Sequence, residues 1–554
     1  MAVIGIDLGT TNCAVARAGE IVPVPQLIGP GELRAETLFP SSLYIPGAKE
    51  FPEGALALPW DEKPKWILGE FAKRRGIENA ARLVHSAKSW LSHSGVDRSA
   101  PILPLTAPEI SPLDASAAYL AHLTHAYDGA EQVLITVPAS FDAGARALTE
   151  EAAKRAGIAN AILLEEPQAA FYAWIERHAD WRERVGAGDR ILVIDIGGGT
   201  TDFTLIAVGE SGGELTLERV AVGEHILLGG DNIDLALART VEQGLPKLDA
   251  LQLHMLWQRC RAAKEKLLAE GAKQKEEPVT ILGRGTGLIG GTIKATLKRE
   301  TLESVLLDGF LPLVGKDEAP VKARRAALQE IGLPYASDAR ITAHLAAFVR
   351  QAGAPTHVLF NGGVLHSGLV RNRLLESLNS WLPKPVEVLT GEDLMHAVAR
   401  GAAYYGLARQ GKGVRIRGGV PRTYYIGIES SMPAVPGFPA PMKALAVVPF
   451  GLEEGSKVTL PRNEFGLLTG EPAEFRFYSS VSRHDDKPGD ILDPIPDGVE
   501  ELAPVEVSLP AAEDSVARVT LEAEVTETGV LQLWCAGPNQ QRWKLEFNVR
   551  EQKK

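Results

Sequence analysis

The chain has 554 residues, more than one hydrophobic core organises well, so three or four domains or lobes are expected. Acidic side chains outnumber basic ones, and the net charge of -12 argues against a general nucleic-acid or acidic-membrane binder. Three cysteines without C-x-x-C spacing predict neither a disulfide framework nor a zinc site. The start of the chain lacks a basic leader, and no run of eighteen apolar residues occurs, so we expect a cytoplasmic protein.

The first predicted element is a hairpin whose tip is rich in Gly and Thr. VIGIDLGTTNCAVA (3–16) is an apolar strand that ends in Asp7, turns, and returns as a second strand. LVIDIGGGTTDFTLI (192–206) repeats this pattern, with Asp195 answering Asp7 after 188 residues. Two copies of one hairpin predict two similar lobes.

Strands and helices alternate around these hairpins. Helical patterns cover 113–127 and 142–156 on either side of a strand at 133–138, and further helices are predicted at 231–243, 250–271 and 338–352. A third glycine turn, HVLFNGGVL (357–365), precedes a last helix at 392–410. This alternation favours α/β layers.

The composition changes after this region. QGKGVRIRGGVPR (410–422) is rich in Gly and Arg without periodicity and is interpreted as an interdomain linker. Beyond it, 517–525, 530–536 and 542–550 alternate apolar and polar residues, as half-buried strands do. The C-terminal part is therefore predicted to be an antiparallel β-sandwich.

The glycine-tipped turns suggest a phosphate site. Glycines let backbone N–H groups approach phosphate oxygens, and successive amides form an anion-binding concavity. Asp7 and Asp195, at their strand ends, are placed to hold Mg²⁺ through its waters. Asp202 could hold metal or orient water. One such motif alone is more often a structural hairpin, whereas two matched copies and the turn at Gly362–Gly363 favour nucleotide binding.

Five segments resemble, in order, the nucleotide-binding domain of DnaK-type chaperones, the seventy-kilodalton heat-shock proteins. They are IGIDLGTTN, ITVPASFD, EEPQAAFYAW, VIDIGGGTTDFTL and LLGGDNID. The resemblance implies an α/β actin-like fold over 1–410, with two duplicated ribonuclease-H-like lobes at about 1–188 and 189–390 and a closing helix to 410. A linker at 411–421 and a β-sandwich substrate-binding-like domain at 422–554 would follow.

The resemblance also implies a set of site residues. The cofactor-binding positions are Gly9, Thr10, Thr11, Asn12, Gly197, Gly198, Gly199, Lys264, Gly362 and Gly363. The catalytic positions are Lys73, Glu166, Asp195, Thr200 and Asp202, and the metal positions are Asp7 and Asp195. Pro138 and Arg146 match the pair that relays nucleotide state to the linker. The implied cofactors are ATP or ADP with Mg²⁺, and K⁺ is a further candidate.

The sequence departs from this family at several positions. Arg261 stands where the family has a ribose-binding Glu, and Glu265 where an Arg stacks on adenine. Losing that stack costs about 1–2 kcal/mol of binding. Val364 and His366 alter the third glycine turn, the linker is basic, and Ile162 replaces an Arg that contacts the linker and the J-domain cochaperone.

The sequence therefore predicts a slow ATPase and DnaK-type chaperone of extended apolar client segments, active in protein folding and stress response. A J-domain cochaperone and a nucleotide exchange factor are expected partners, and nucleic acid and membranes are not. Because the chain ends without a helical lid, fast client exchange is expected. Two alternatives stay open: a nucleotide-regulated binding module with little or no hydrolysis, and a small-molecule (sugar) kinase of the actin-like superfamily.

Overall fold

Two mixed sheets and a set of antiparallel strands make up the chain in the computed structural model. The structure describes residues 2–17, 19–93, 95–105, 107–211, 214–283, 291–321, 333, 335–391, 393–411, 413–417, 419–429, 441–453, 455–460, 465–468, 472–508, 516–526, 530–537 and 541–547. The last three residues of the strand predicted at 542–550 and most of the turn at 526–529 lie outside these ranges.

The first mixed sheet contains the N-terminal hairpin predicted from 3–16. The strands of this part are β1 (Val3–Asp7), β2 (Asn12–Arg17), β3 (Glu20–Val22), β4 (Val24–Gly29), β5 (Glu32–Glu36), β6 (Phe39–Pro40), β7 (Ser42–Tyr44), β8 (Ile67–Leu68), β9 (Leu83–His85), β10 (Gln132–Val137) and β11 (Ala161–Glu165). The helices are α1 (Glu70–Glu78), α2 (Ala87–Trp90), α3 (Pro112–Thr124), α4 (Ala143–Arg155), α5 (Glu166–Arg177) and α6 (Trp181–Arg184).

In this sheet β1 pairs antiparallel with β2 and parallel with β10, and β10 pairs parallel with β11. The apolar residues of β1 and β10 are buried on both faces, as is typical of parallel strands covered by helices. Ser111 and Asp142 cap the helices α3 and α4 by accepting hydrogen bonds from backbone N–H groups, which fixes where each helix begins.

The second mixed sheet repeats this arrangement around the second hairpin. Its part of the chain contains β12 (Arg190–Ile196), β13 (Thr201–Ser211), β14 (Glu214–Val222), β15 (Glu276–Leu282), β16 (Thr292–Lys298), β17 (His357–Asn361), β18 (Glu387–Leu389) and β19 (Ile416–Arg417). The helices are α7 (Gly230–Glu242), α8 (Ala250–Leu268), α9 (Arg299–Ser304), α10 (Ile341–Ala352), α11 (Gly368–Trp381) and α12 (Ala397–Arg409). A π-helical turn at Val305–Phe310 follows α9.

Here β12 pairs antiparallel with β13 and parallel with β17, just as β1 pairs with β2 and β10. The predicted duplication of the hairpin is thus confirmed. Helices α5 and α12 pack between the two sheets, in a core that joins Val3 and Leu134 from the first sheet to Ile191 and Val193 from the second. This shared core holds the carboxyl ends of β1 and β12 in a fixed relation.

The C-terminal part contains strands that pair antiparallel. They are β20 (Thr423–Glu429), β21 (Met442–Val448), β22 (Lys457–Thr459), β23 (Phe465–Leu468), β24 (Pro472–Ser480), β25 (Ile491–Leu492), β26 (Glu500–Ser508), β27 (Val516–Val525), β28 (Leu531–Ala536) and β29 (Arg542–Phe547). Leu445 of β21 and Leu521 of β27 lie in one hydrophobic core, although their two strands do not pair with each other.

This C-terminal part is in contact with the first mixed sheet. Ala143 of α4 lies in the core of the C-terminal strands, and Val530 lies in the core of the first sheet. The segment predicted as a linker also contains a strand, since Ile416 and Arg417 pair parallel with Leu217 and Glu218 of β14. Ile416 is buried there, so an apolar side chain fixes a segment whose composition predicted no structure.

Candidate functional site

A cavity of about 600 Å³ lies where the two hairpin tips face each other. Its wall includes most of the predicted site residues: Asp7, Gly9, Thr10, Thr11, Asn12, Lys73, Glu166, Asp195, Gly197, Gly198, Thr200, Lys264, Gly362 and Gly363. Gly199 and Asp202 lie behind this wall. The volume is in the range of small-molecule and nucleotide sites.

The two hairpin tips touch each other. A Cβ built at Gly198 would lie 1.9 Å from Thr11 Oγ1, and one built at Gly199 would lie 2.9 Å from Thr10 Cγ2. Only glycine therefore permits this approach of the second tip to the first. The same absence of side chains leaves the backbone amides of both turns open to a ligand.

The carboxylates of Asp7, Glu166 and Asp195 lie in the wall of the cavity, and that of Asp202 lies behind it. Burial, reinforced by the charge of Glu166, raises the pKa of Asp7 to about 7, against the opposing effects of Lys88 and a 3.2 Å hydrogen bond from Thr136. Burial likewise raises the pKa of Asp195 well above its usual value, and Glu166, Asp202 and Asp7 raise it further. These carboxylates repel one another, so the cavity favours a bound cation.

Asp195 is held by the third glycine turn. Asn361, at the end of β17, donates a hydrogen bond from Nδ2 to Asp195 Oδ2 at 2.8 Å. Gly362 follows with a φ of 94°, and a Cβ there would lie 2.6 Å from Asp195 Oδ1. The turn predicted from 357–365 thus packs directly on the second hairpin, and glycine is required at Gly362 for both conformation and space.

The lysine nearest the carboxylates is Lys88 of α2, not the predicted Lys73. Lys88 is buried and forms an ion pair with Glu166, and its charge lowers the pKa of Asp7 and Asp202. Lys73 is half-buried on α1 in the cavity wall, and its ammonium has no hydrogen bond or ion pair with the described residues. It is therefore available to a ligand.

Charged residues of α8 line another part of the cavity and pair with aspartates of α7. Arg261 Nη2 lies 3.1 Å from Asp231 Oδ1 and 3.4 Å from Thr11 Oγ1, so it connects the second part of the chain to the first hairpin. Lys264 pairs with Asp234 at 2.8 Å. Glu265, whose side chain is 60% exposed, lies 3.7 Å from Arg261. Arg261 and Glu265, the two positions where the charge differs from that of the family, thus lie close enough for their opposite charges to attract each other.

Asp202 is buried behind the cavity wall, paired in register with Asp195 across β12 and β13. Burial raises the pKa of Asp202 to about 7, and its hydrogen bonds with Ser140 and Thr200 oppose that rise. Ser140 belongs to the segment ITVPASFD, between β10 and α4. Asp202 thus joins the second hairpin to the first mixed sheet.

A buried ion cluster connects the site to the linker. Glu165, one residue before Glu166, accepts hydrogen bonds from Arg146 at 2.7 Å and from Arg219 of β14. Arg219 also donates to the carbonyl oxygen of Gly419, at 2.5 Å, in the segment predicted as a linker. All three charged side chains are less than one-tenth exposed. Glu165 and Arg219 were not predicted as site residues; Glu165 is the first residue of the quoted segment EEPQAAFYAW, and Arg219 lies outside the quoted segments.

The donor set bears on a metal. Among the described residues, no three His, Cys, Asp or Glu side chains converge to ligate an ion directly. Mg²⁺ usually keeps several of its waters and binds through one or two carboxylates and phosphates, so the crowded carboxylates fit a hydrated ion. Asp7 and Asp195 are the residues that would hold it.

Comparison with known proteins shows which family this chain resembles. Residues 60–325 match a family model described as Hsp70 protein. The match is to Hsp70. Two relatives, each named Chaperone protein HscA homolog, are 32% identical over 340 residues (Ralstonia nicotianae) and 31% identical over 344 residues (Cupriavidus pinatubonensis). Each alignment covers 60% of this chain and 49% of the relative.

The resemblance to the Hsp70 family read from the sequence is thereby confirmed. Hsp70 proteins are ATPases that bind ATP or ADP with Mg²⁺, and the family implies an actin-like fold with mixed sheets such as those described above. The chain spans about half the length of the curated relatives it matches. Within the described ranges, every helix is too short or too polar to cross a bilayer.

Proposed function

We propose that the chain is an ATP-dependent chaperone of the DnaK type, which hydrolyses ATP slowly to control the binding of extended apolar client segments. The proposed nucleotide-binding domain is 1–410, followed by a linker at 411–421 and a client-binding β-sandwich at 422–554. The observation that carries the proposal is the meeting of two glycine-tipped turns above buried carboxylates in one cavity.

The residues of the cavity divide the work of phosphoryl transfer. Backbone amides of the turns at Thr10–Asn12 and Gly197–Thr200 would hold the phosphates, and Lys73 would neutralise charge that develops on the transferred phosphoryl group. Glu166 and Asp202 would orient the attacking water. No nucleophilic side chain is needed, because positioning and charge neutralisation supply most of the catalysis.

Magnesium, when bound, would neutralise phosphate charge. Asp7 and Asp195 would hold its hydration shell, and their pKa values are raised first by burial and then by neighbouring carboxylates, whose repulsion the ion would relieve. The protein's own contribution is to keep these carboxylates close together, through the Asn361 hydrogen bond and the packing of Gly362.

The C-terminal strands are the proposed site of the client. Their paired antiparallel arrangement around a hydrophobic core supports a sandwich, on which an extended segment would dock by backbone pairing and side-chain pockets. A J-domain cochaperone and a nucleotide exchange factor are proposed partners.

Steady-state phosphate release tests the proposed activity. We expect slow turnover by the wild type, none by Asp195→Asn, and wild-type turnover by Asp317→Asn, which alters an exposed Asp away from the cavity. A wild type that does not exceed Asp195→Asn would replace the ATPase with a nucleotide-regulated binding module. Transfer of labelled phosphate to a sugar acceptor by the full chain would instead favour a kinase.

A further inference from the structure

Asp202 is oriented in part by groups that lie outside the cavity wall. Ser140 Oγ hydrogen-bonds both to Asp202 Oδ1 and, at 2.6 Å, to His225 Nδ1. His225 Nε2 in turn lies 3.1 Å from Ser92 Oγ. Ser140 and Asp202 are almost completely buried, so water does not compete for these hydrogen bonds.

The hydrogen-bond donors between Asp202, Ser140 and His225 can be assigned. Burial and the charges of Arg422 and Lys88 lower the pKa of His225 to about 3, so its ring is neutral near pH 7 and carries one N–H. Ser140 has a single hydroxyl proton, which it donates to Asp202 Oδ1. Its oxygen then accepts from His225 Nδ1–H. His225 Nε2 lies beside Ser92 Oγ, whose hydroxyl donates to the carbonyl oxygen of Ser89 at 2.9 Å.

The same serine is held from the other side by the C-terminal strands. Arg422, at the start of β20, donates from Nη2 to the carbonyl oxygen of Ser140 at 3.1 Å and from Nη1 to Ser479 Oγ at 3.1 Å. Arg422 is only 4% exposed. Its guanidinium therefore holds the backbone of Ser140, the residue whose hydroxyl orients Asp202. This contact exists only while the C-terminal strands contact the first sheet.

We propose that Ser140 is a positioning residue that orients the Asp202 carboxylate for ATP hydrolysis, and that the His225 and Arg422 hydrogen bonds make this orientation depend on the docked C-terminal strands. The inference rests on the proposed ATPase activity. Neither Ser140 nor His225 lines the cavity, so their effect reaches the nucleotide only through Asp202. A positioning role of this kind lowers kcat and leaves nucleotide affinity nearly unchanged.

The test compares kcat and KM of full-length variants. Removing the hydroxyl in Ser140→Ala should lower kcat about tenfold and change KM less than twofold, the size expected for a hydrogen bond to a charged group. Ser140→Thr, which keeps the hydroxyl, should retain more activity than Ser140→Ala. Ser116→Ala removes an equally buried serine hydroxyl far from the cavity, bonded to the Pro112 carbonyl, and should behave as wild type.

Two further comparisons separate positioning from general destabilisation. His225→Asn preserves a donor near the Nδ1 position and should retain more activity than His225→Leu. Arg422→Gln should lower kcat in the wild-type background and have little further effect in Ser140→Ala, because both act on one carboxylate.

The results distinguish this inference from the proposed function. Turnover of Ser140→Ala within twofold of wild type, with Asp195→Asn inactive, would overturn the role of Ser140 and leave the ATPase standing. Fully additive effects of Arg422→Gln and Ser140→Ala would overturn the dependence on the C-terminal strands. A wild type without turnover above Asp195→Asn would overturn the ATPase and this inference together. If Ser140→Ala does not fold, the His225 pair and Arg422→Gln decide the question by the same kcat criterion.

Discussion

Replacing Gly401 with alanine tests the close packing of α5 against α12. A Cβ at Gly401 would lie 1.7 Å from the Ala169 carbonyl oxygen and 2.9 Å from the Ala173 nitrogen, where carbon and oxygen normally approach to roughly 3.5 Å. The obstructing atoms are backbone of a helix, so no side-chain rotation relieves the overlap. The two helices must move apart by about 1.5–2 Å.

The magnitude follows from two opposing effects. Alanine is favoured over glycine inside a helix by about 1 kcal/mol. Overpacking of a core costs typically 1–3 kcal/mol and more where backbone must move, so we take about 3–4 kcal/mol here. The net change should be a loss of about 2–3 kcal/mol in the free energy of unfolding. Because α5 begins at Glu166, its displacement should also lower any turnover.

Scanning calorimetry of purified variants measures this loss. We expect Gly401→Ala to unfold several degrees below wild type. Gly309→Ala is the matched control, since nothing lies within 4 Å of a Cβ built there, and it should unfold at or slightly above the wild-type temperature. A Gly401→Ala protein as stable as wild type would refute the close approach of α5 and α12.

Three further predictions concern the charged groups. Arg219→Met leaves Glu165 with one of its two arginine partners and should lower the free energy of unfolding by about 3 kcal/mol. The same substitution in a Glu165→Gln background should lower it much less. Equal losses in the two backgrounds, measured by calorimetry, would contradict the buried cluster. Folding raises the pKa of Asp7 to about 7, so the unfolded chain loses this proton first as pH rises. Without Mg²⁺, the thermal midpoint should therefore decrease as the pH rises from about 4 to 7. Mg-ADP should raise the midpoint more at pH 8 than at pH 5.5. A Mg-ADP shift independent of pH would argue against ion binding at these carboxylates. Glu265→Arg should tighten Mg-ADP binding about five- to thirtyfold in a calorimetric titration, by restoring a cation that stacks on the base; unchanged affinity would place the base elsewhere.

The parts of the site that the sequence predicted are those with local causes. A strand that ends in Asp and turns through Gly and Thr carries its own hairpin chemistry, so Asp7, Asp195 and their glycines could be found by pattern. The third turn was found in the same way, because Gly362 follows a buried apolar strand. Helix positions followed from apolar periodicity, and most ends agree within a few residues.

The parts that the sequence missed depend on partners far along the chain. Lys88 meets Glu166 across 78 residues, and Arg422 meets Ser140 across 282. A lysine or serine has no pattern that names such a partner, because the pairing is created by the packing of separate elements. The strand at Ile416–Arg417 escaped for a similar reason, since two residues are too few to show a period and the neighbouring β14 supplies the order.

That two-residue strand has a consequence for solubility. It occupies part of the outer side of β14, where an uncovered strand would present unpaired N–H and C=O groups to any passing extended chain. A rearrangement that withdrew Ile416 would open this border to self-association or to a peptide that adds as a new strand. The short segment that joins the second mixed sheet to the C-terminal strands thus also protects an edge of that sheet from intermolecular pairing.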